Sequence, residues 1–580
     1  MAREGLVLAM LYGMLRRGGD DGEPPETAPA RRFTRQPGLI VVAAAVPMVE
    51  AAAVNAITPS ARVLAPQVTA LAPLAVFHDL RWLFGFGGTW PRFALALLGL
   101  VVARSVLDAA LAWLAWPRGQ ARPRPVILLG SGAVLTLSAG LLMSPLVTLT
   151  FGVALLPFSW PFLGALPALI LFALLLSHGA ASSGWWRTLP PLRSAEWLVA
   201  DFLVLSLVAV VIGRLPPGWA VPVAGLAGIV NARAWYGVAS SLAAPGAAGR
   251  FWRPVRRIPI APMAAVLSVA LVIGVARAGF VFASSGHPVT RAAAGTSPAP
   301  APPPAAAPAR TAPAVLEIKG FGSRCCSGTS SLRAIAGNAV AQQFSYRGLD
   351  AHGRPLPQGQ AASDLPLSVL GDRIYAQVQR LHQQTGRPAD LVGESEGTLG
   401  IYAMLARHPG APVGSIVLLS PIVAPGQVSY PVDTRDGRGD VPGYALQAVV
   451  WFIGGLSPFG TSGAEQLINS VDRDGAQYAE EAARETRQHP LRWMAVVPLA
   501  DSLTLPACQL PSQTIVVPAM HGGLLGNTGV QQAVRSFLGG GAVRAQPPMQ
   551  AAAEFVAQAA AAWRMPELVT PSPPCPARLP

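Results

Sequence analysis

The chain runs to 580 residues, too many for one ordinary core, with 52% hydrophobic but only 12% charged residues. That charged share is about half that of a soluble domain, so much of the surface needs a solvent other than water. The net charge of +14 does not read as a nucleic-acid surface, because the basic residues fall in short clusters between apolar runs, the pattern of cytoplasmic loops in a membrane protein.

Seven stretches are long and apolar enough to span a bilayer, near 38–57, 91–116, 125–145, 158–177, 197–213, 217–237 and 261–283. Arg16, Arg17, Arg31, Arg32 and Arg35 precede the first, which predicts a cytoplasmic segment 1–36. Arg118, Arg122 and Arg124 follow the second span, Arg187 and Arg193 the fourth, and Arg250, Arg253, Arg256 and Arg257 lead into the last. With a membrane domain over 37–284, each cluster is cytoplasmic and everything beyond residue 284 lies outside, in a multi-pass protein of the cell membrane. Met1–Leu15 lacks the clean apolar core and small-residue cleavage site of a signal peptide.

Leu64–Phe86 is apolar but carries His78, Asp79 and Arg81. Each charge near a bilayer centre costs about 2.5–3.5 kcal/mol. The segment therefore reads as an external amphipathic helix, with Phe77, Trp82 and Phe84 dipping into the interface. Within the spans, Arg104 and Asp108 read as a self-neutralising pair four residues apart, and Glu50 has no partner legible nearby. No repeat or broken-helix pair marks a transporter.

Residues 285–314 form a Pro/Ala-rich linker. After it, short β-branched runs alternate with helical stretches, as in an α/β fold with helices on both faces of a mostly parallel sheet. The runs are Val315–Ile318, Ala341–Tyr346, Ala389–Val392, Ile416–Leu419, Val496–Leu499 and Thr514–Val517, and Leu367–Gln383 has helical spacing between the second and third. Each run ends in a glycine or polar corner, as strands do at the carboxyl edge where ligand sites form.

The third run enters Gly393-Glu394-Ser395-Glu396-Gly397 and opens the helix Thr398–Arg407. A strand–turn–helix context is what a nucleophile elbow needs: glycines at 393 and 397 permit a strained turn that lifts Ser395 toward substrate. A serine hydroxyl needs a base. His521 follows a β-run and precedes Gly522-Gly523, whereas His352, His382, His408 and His489 sit in polar stretches that read as surface. The acid that orients the base should fall between Ser395 and His521. Asp501 does, at the end of Val496–Leu499; Asp472 and Asp474 are rivals in charged helical surroundings. The backbone N–H groups of Phe321 and Glu396 are the candidate oxyanion donors.

Lys319-Gly320-Phe321-Gly322-Ser323, Phe344-Ser345-Tyr346-Arg347-Gly348, the elbow, Asp501 and His521 together resemble a compact lipase or esterase of the α/β-hydrolase superfamily over roughly residues 314–540. The chain has Lys319 where family members have His, and it lacks the family's first two strands. The resemblance implies hydrolysis of an ester or thioester through an acyl-enzyme, with neither cofactor nor metal; it does not fix the substrate, for which a lipid or acyl ester at the bilayer is the expectation. An acyltransferase on the same scaffold, or an inactive hydrolase domain on a membrane scaffold, are the alternatives; sequence does not settle the oligomeric state.

The hydrolase domain is placed at 315–545, followed by a C-terminal helix and Pro-rich tail over 546–580. An insertion over 424–492 holds Tyr444–Phe459, either a core helix or a lid presenting Val449, Val450, Trp451, Phe452 and Ile453 to an acyl chain. Cys325, Cys326, Cys508 and Cys575 have no metal-ligand spacing. A bond between the neighbours Cys325 and Cys326 would close a strained ring, so pairing of each with Cys508 or Cys575 is expected outside the cytoplasm, against a rival reading of free buried thiols.

Overall fold

A computed structural model describes residue 33, residues 36–152 and 192–243 of the first part, and 314–565 of the second. Short stretches at 119, 121, 327–329, 338, 424–427, 429, 431–439, 457–463, 500, 502–509, 520 and 544–545 are excepted. The expected spans near 158–177 and 261–283, most of the linker, Cys508, Cys575 and the side chains of Val449, Val450, Phe452 and Ile453 fall outside the described residues.

The first part is helical: α1 Pro37–Ile57, a 3-10 helix Pro59–Thr69, α2 Ala72–Phe86, α3 Trp90–Ala115, α4 Pro125–Gly152, α5 Leu192–Arg214 and α6 Ala220–Ala243. Three of these are long and apolar enough to cross a membrane, over Pro37–Ile57, Trp90–Ala115 and Glu196–Arg214. The outer face of α3 shows Leu95, Leu98, Val102 and Val106 more than half exposed, a surface suited to hydrocarbon rather than water.

The segment expected to lie on the membrane is instead the centre of this helical part. In α2, Phe77, His78, Arg81 and Phe84 are all buried. Its charges are matched by groups on other elements, which a hydropathy argument over one segment leaves out. The His78 imidazole lies 2.7 Å from Glu50 on α1 and 2.9 Å from Asp79. Asp79 receives two hydrogen bonds of 2.7 Å from Arg104 on α3, in a bidentate fork. Arg104 therefore serves Asp79 first, and Asp108 stands back at 3.6 Å. The pair read as self-contained belongs to a network over three helices, and Glu50 has its partner in His78.

The second part is a six-stranded, wholly parallel sheet in the order β2-β1-β3-β4-β5-β6, with β1 Ala314–Ile318, β2 Val340–Gln343, β3 Ala389–Glu394, β4 Val413–Leu419, β5 Arg492–Pro498 and β6 Thr514–Val517. Period-two alternation sorts its side chains onto two cores. Leu316, Leu391, Ile416 and Leu418 meet α8 (Leu367–Thr385), α9 (Glu396–Arg407) and α11 (Glu465–Gln488). Val315, Val392, Val417 and Leu419 meet α7 (Ser330–Ala336) and α12 (Thr528–Leu538). Both faces being covered is why the strands read as continuous apolar runs.

Two outliers of this domain dock on the helical part. Helix α10 (Asp440–Leu456), within the insertion, packs on α2, α3 and α4; the Asp440 amide donates to the Gly88 carbonyl at 2.8 Å and Tyr444 meets Trp90. After α13 (Pro547–Ala561), Trp563 is buried against Phe77 and Phe202 and donates to Ser206 at 2.9 Å. Arg81 donates to the Ala562 and Arg564 carbonyls, each at 2.8 Å.

Candidate active site

The switch in strand order falls at β1, which has β2 on one side and β3 on the other. The loops that carry Phe321 and Ser395 leave the carboxyl ends of β1 and β3, where an open α/β sheet places its ligands. Ser395 stands between β3 and α9 with φ 56° and ψ −119°. A non-glycine residue at positive φ costs about 1–3 kcal/mol and persists only where the surroundings enforce it. Here they do. A side chain at Gly397 would strike the Ile318 carbonyl, and one at Gly393 would come within 2.6 Å of the Ile401 side chain. A Cβ on Gly320 would stand 2.8 Å from that of Ser395, so the β1 loop can lie against the serine only as glycine.

His521 follows β6 and approaches from the other side. Its Nε2 lies 2.7 Å from Ser395 Oγ, and its Nδ1 lies 2.7 Å from Asp501 Oδ2. Asp501 is fully buried and the His521 side chain is 8% exposed, which leaves the imidazole little water to exchange partners with. Burial alone would lower the imidazole's pKa; the Asp501 carboxylate, with a smaller contribution from Glu394, holds it above its ordinary value. Asp472 and Asp474 lie on α11, where Asp474 pairs with Arg473.

Glu394, quoted in the elbow but given no role from sequence, accepts a hydrogen bond from the Leu524 amide at 3.0 Å. It thereby ties the loop carrying His521 to the end of β3, next to Gly522 and Gly523, both at positive φ. Burial raises its pKa, and the amide hydrogen bond opposes this in part. Only the fold brings residues 394 and 524 together, so no local signal could have disclosed the contact.

Of the oxyanion candidates, Phe321 lies on the turn after β1 with its side chain about half exposed, and Glu396 opens α9 with its side chain buried. The turn is pinned by the Gly322 amide donating to Ser363 Oγ at 2.9 Å. Trp451, on α10, is 78% exposed. The Sγ atoms of Cys325 and Cys326 are joined to each other, while Cys508 and Cys575, the expected partners, lie outside the described residues. The chain folds locally to bring the neighbours' sulfurs together, which sequence spacing does not disclose. Among the described residues no cluster of His, Cys, Asp and Glu could hold a metal.

An acid, an imidazole and a hydroxyl in one hydrogen-bonded line can move a proton off the hydroxyl as it attacks an electrophile. No family model matches the chain, and no curated protein matches it. Among solved structures it is similar to a serine hydrolase, CCSP0084, from the polyaromatic-hydrocarbon-degrading bacterium Cycloclasticus zankles. The identity is 15%, covering 40% of this chain and 91% of that one, with a TM-score of 0.26. It is also similar to the esterase RhEst1 from Rhodococcus sp. ECU1013, at 16% identity over 40% of this chain and 92% of that one, with a TM-score of 0.23. Likeness at this level adds nothing to the geometry; the hydrogen-bonded line stands on its own distances.

Proposed function

We propose that the chain is a membrane-anchored serine hydrolase of the α/β-hydrolase type, cleaving a carboxylic ester or thioester of an amphiphile. The observation that carries this reading is the Asp501–His521–Ser395 line meeting a serine held at positive φ. As Ser395 Oγ attacks the acyl carbon, its proton passes to His521 Nε2, and Asp501 steadies the imidazolium. The Phe321 and Glu396 amides donate to the oxyanion. When the tetrahedral adduct collapses, His521 returns the proton to the leaving alcohol or thiol. Water then repeats the sequence on the acyl-serine and releases the acid.

Two features favour an amphiphile over a water-soluble ester. Helix α10 rests on the apolar helices with Trp451 outward. Between α2 and α3, Leu83, Phe86, Ala96 and Leu100, together with Asp79, Arg92 and Arg104, help to line an open cavity of about 560 Å³, with room for part of an acyl chain and a polar end. The orientation we infer is N-terminus cytoplasmic and hydrolase outside. In its support, the α/β domain meets the Trp90 end of α3, while Arg118, Arg122 and Arg124 follow the other end.

Labelling by a fluorophosphonate probe tests the chemistry: the full-length protein should be labelled and Ser395→Ala should not. Undiminished turnover by the alanine variant would sink the assignment. A reporter fused at residue 300 that works only in the cytoplasm would overturn the orientation.

A further inference from the structure

We infer that Glu396, through its side chain, is a positioning residue of the hydrolytic site: acting as a hydrogen-bond donor to Tyr346, it fixes the loop that carries Phe321. This rests on the reading of Ser395 as nucleophile and adds a role that the elbow's geometry does not require.

Tyr346 Oη lies 2.5 Å from the Lys319 carbonyl and 3.2 Å from Glu396 Oε2. A carbonyl only accepts, and a phenol has one hydrogen to give. The shorter contact takes that hydrogen, so the proton of the longer one must come from the carboxyl. Glu396 is 2% exposed, its other oxygen has no hydrogen-bond partner among the described residues, and no cation pairs with it there. A buried carboxyl without a cation keeps its proton. Burial pushes this one well above the ordinary carboxylate range, and the Asp364 charge adds to it.

The chain Glu396–Tyr346–Lys319 starts at the residue after the nucleophile and ends at the carbonyl just before Gly320-Phe321. The Glu396 end carries one candidate oxyanion amide, and the Lys319 carbonyl lies one peptide unit before the other, that of Phe321. Holding both ends sets the spacing of the donors, on which stabilisation of the oxyanion depends. Ionisation of Glu396 would turn it into an acceptor. The Tyr346 hydrogen would then swing to the carboxylate and leave the Lys319 carbonyl without its donor, loosening the Phe321 loop.

The test is hydrolysis of a p-nitrophenyl ester by the full-length protein in detergent, with kcat and KM followed between about pH 6 and 10. Tyr346→Phe and Glu396→Leu should each lower kcat by about tenfold or more near neutrality, with KM within about twofold. Glu396→Gln, which keeps a donor but cannot ionise, should recover most of the loss seen in Glu396→Leu. A Glu396→Leu protein as active as the parent, or a Glu396→Gln protein no more active than Glu396→Leu, overturns the inference. If Glu396→Leu fails to fold, Tyr346→Phe decides, since it removes a single oxygen. Hydrolysis that survives Ser395→Ala would instead remove the underlying reading, so the two failures are distinguishable.

Discussion

Charge is buried in both parts of the chain and handled in opposite ways. In the helical part Glu50, His78, Asp79 and Arg104 face one another across α1, α2 and α3, within 2.7–2.9 Å at each step. The groups meet in complementary pairs, which is how apolar helices tolerate charge. In the α/β domain the chain of contacts ends on a hydroxyl held at positive φ, and a second carboxyl beside it, Glu396, has no cation partner among the described residues. The first arrangement neutralises charge; the second, on the function proposed above, leaves a proton poised to move. Buried ionisable groups are thus a weak sign of function until their partners are known.

If that contrast is right, the largest effects belong to the α/β domain's line. Ser395→Ala or His521→Ala should lower ester turnover by about 10⁴-fold or more while the melting temperature changes little, measured side by side. Asp501→Asn should cost about 10²–10⁴-fold by leaving the imidazole in the wrong tautomer, whereas Asp474→Asn should stay within about twofold. If Asp474→Asn is the crippling change, Asp501 has been misassigned.

In the helical part the losses should fall on stability instead. Arg104→Met strands the Asp79 carboxylate and should destabilise by about 3–5 kcal/mol, seen as a lowered thermal transition in detergent. Asp79→Asn combined with Arg104→Met should recover part of this, because no charge is left alone; a double variant worse than the sum of the singles would break the comparison. Trp563→Ala empties a buried site between the two parts and should cost about 3 kcal/mol, read as faster proteolytic separation of the α/β domain.

The smallest effect concerns pH. With its pKa held above the ordinary value, His521 stays protonated to higher pH, so turnover should fall as pH drops through that raised pKa. In Asp501→Asn the residual activity should persist to lower pH, since the carboxylate that favours the imidazolium is gone. An acid limb that does not move would mean that Asp501 does not set the imidazole's charge.

What the sequence by itself determined is local in origin. The six β-runs fell within the observed strands or within a few residues of them, because each is an apolar run closed by a corner residue, and both covered faces demand that pattern. The serine, the histidine and the aspartate of the hydrogen-bonded line were legible because chain order and strand ends alone fix their neighbourhood. Tertiary structure decided what depends on partners far along the chain. Whether His78, Asp79 and Arg81 could be buried depended on Glu50, Arg104 and the carbonyls near residue 562, which the segment 64–86 does not contain. What the elbow's two glutamates bond to, Leu524 and Tyr346, likewise lies far along the chain. Hydropathy and spacing sum over neighbours in sequence, but desolvation of a charge is offset by neighbours in space, and those exist only once the chain has folded.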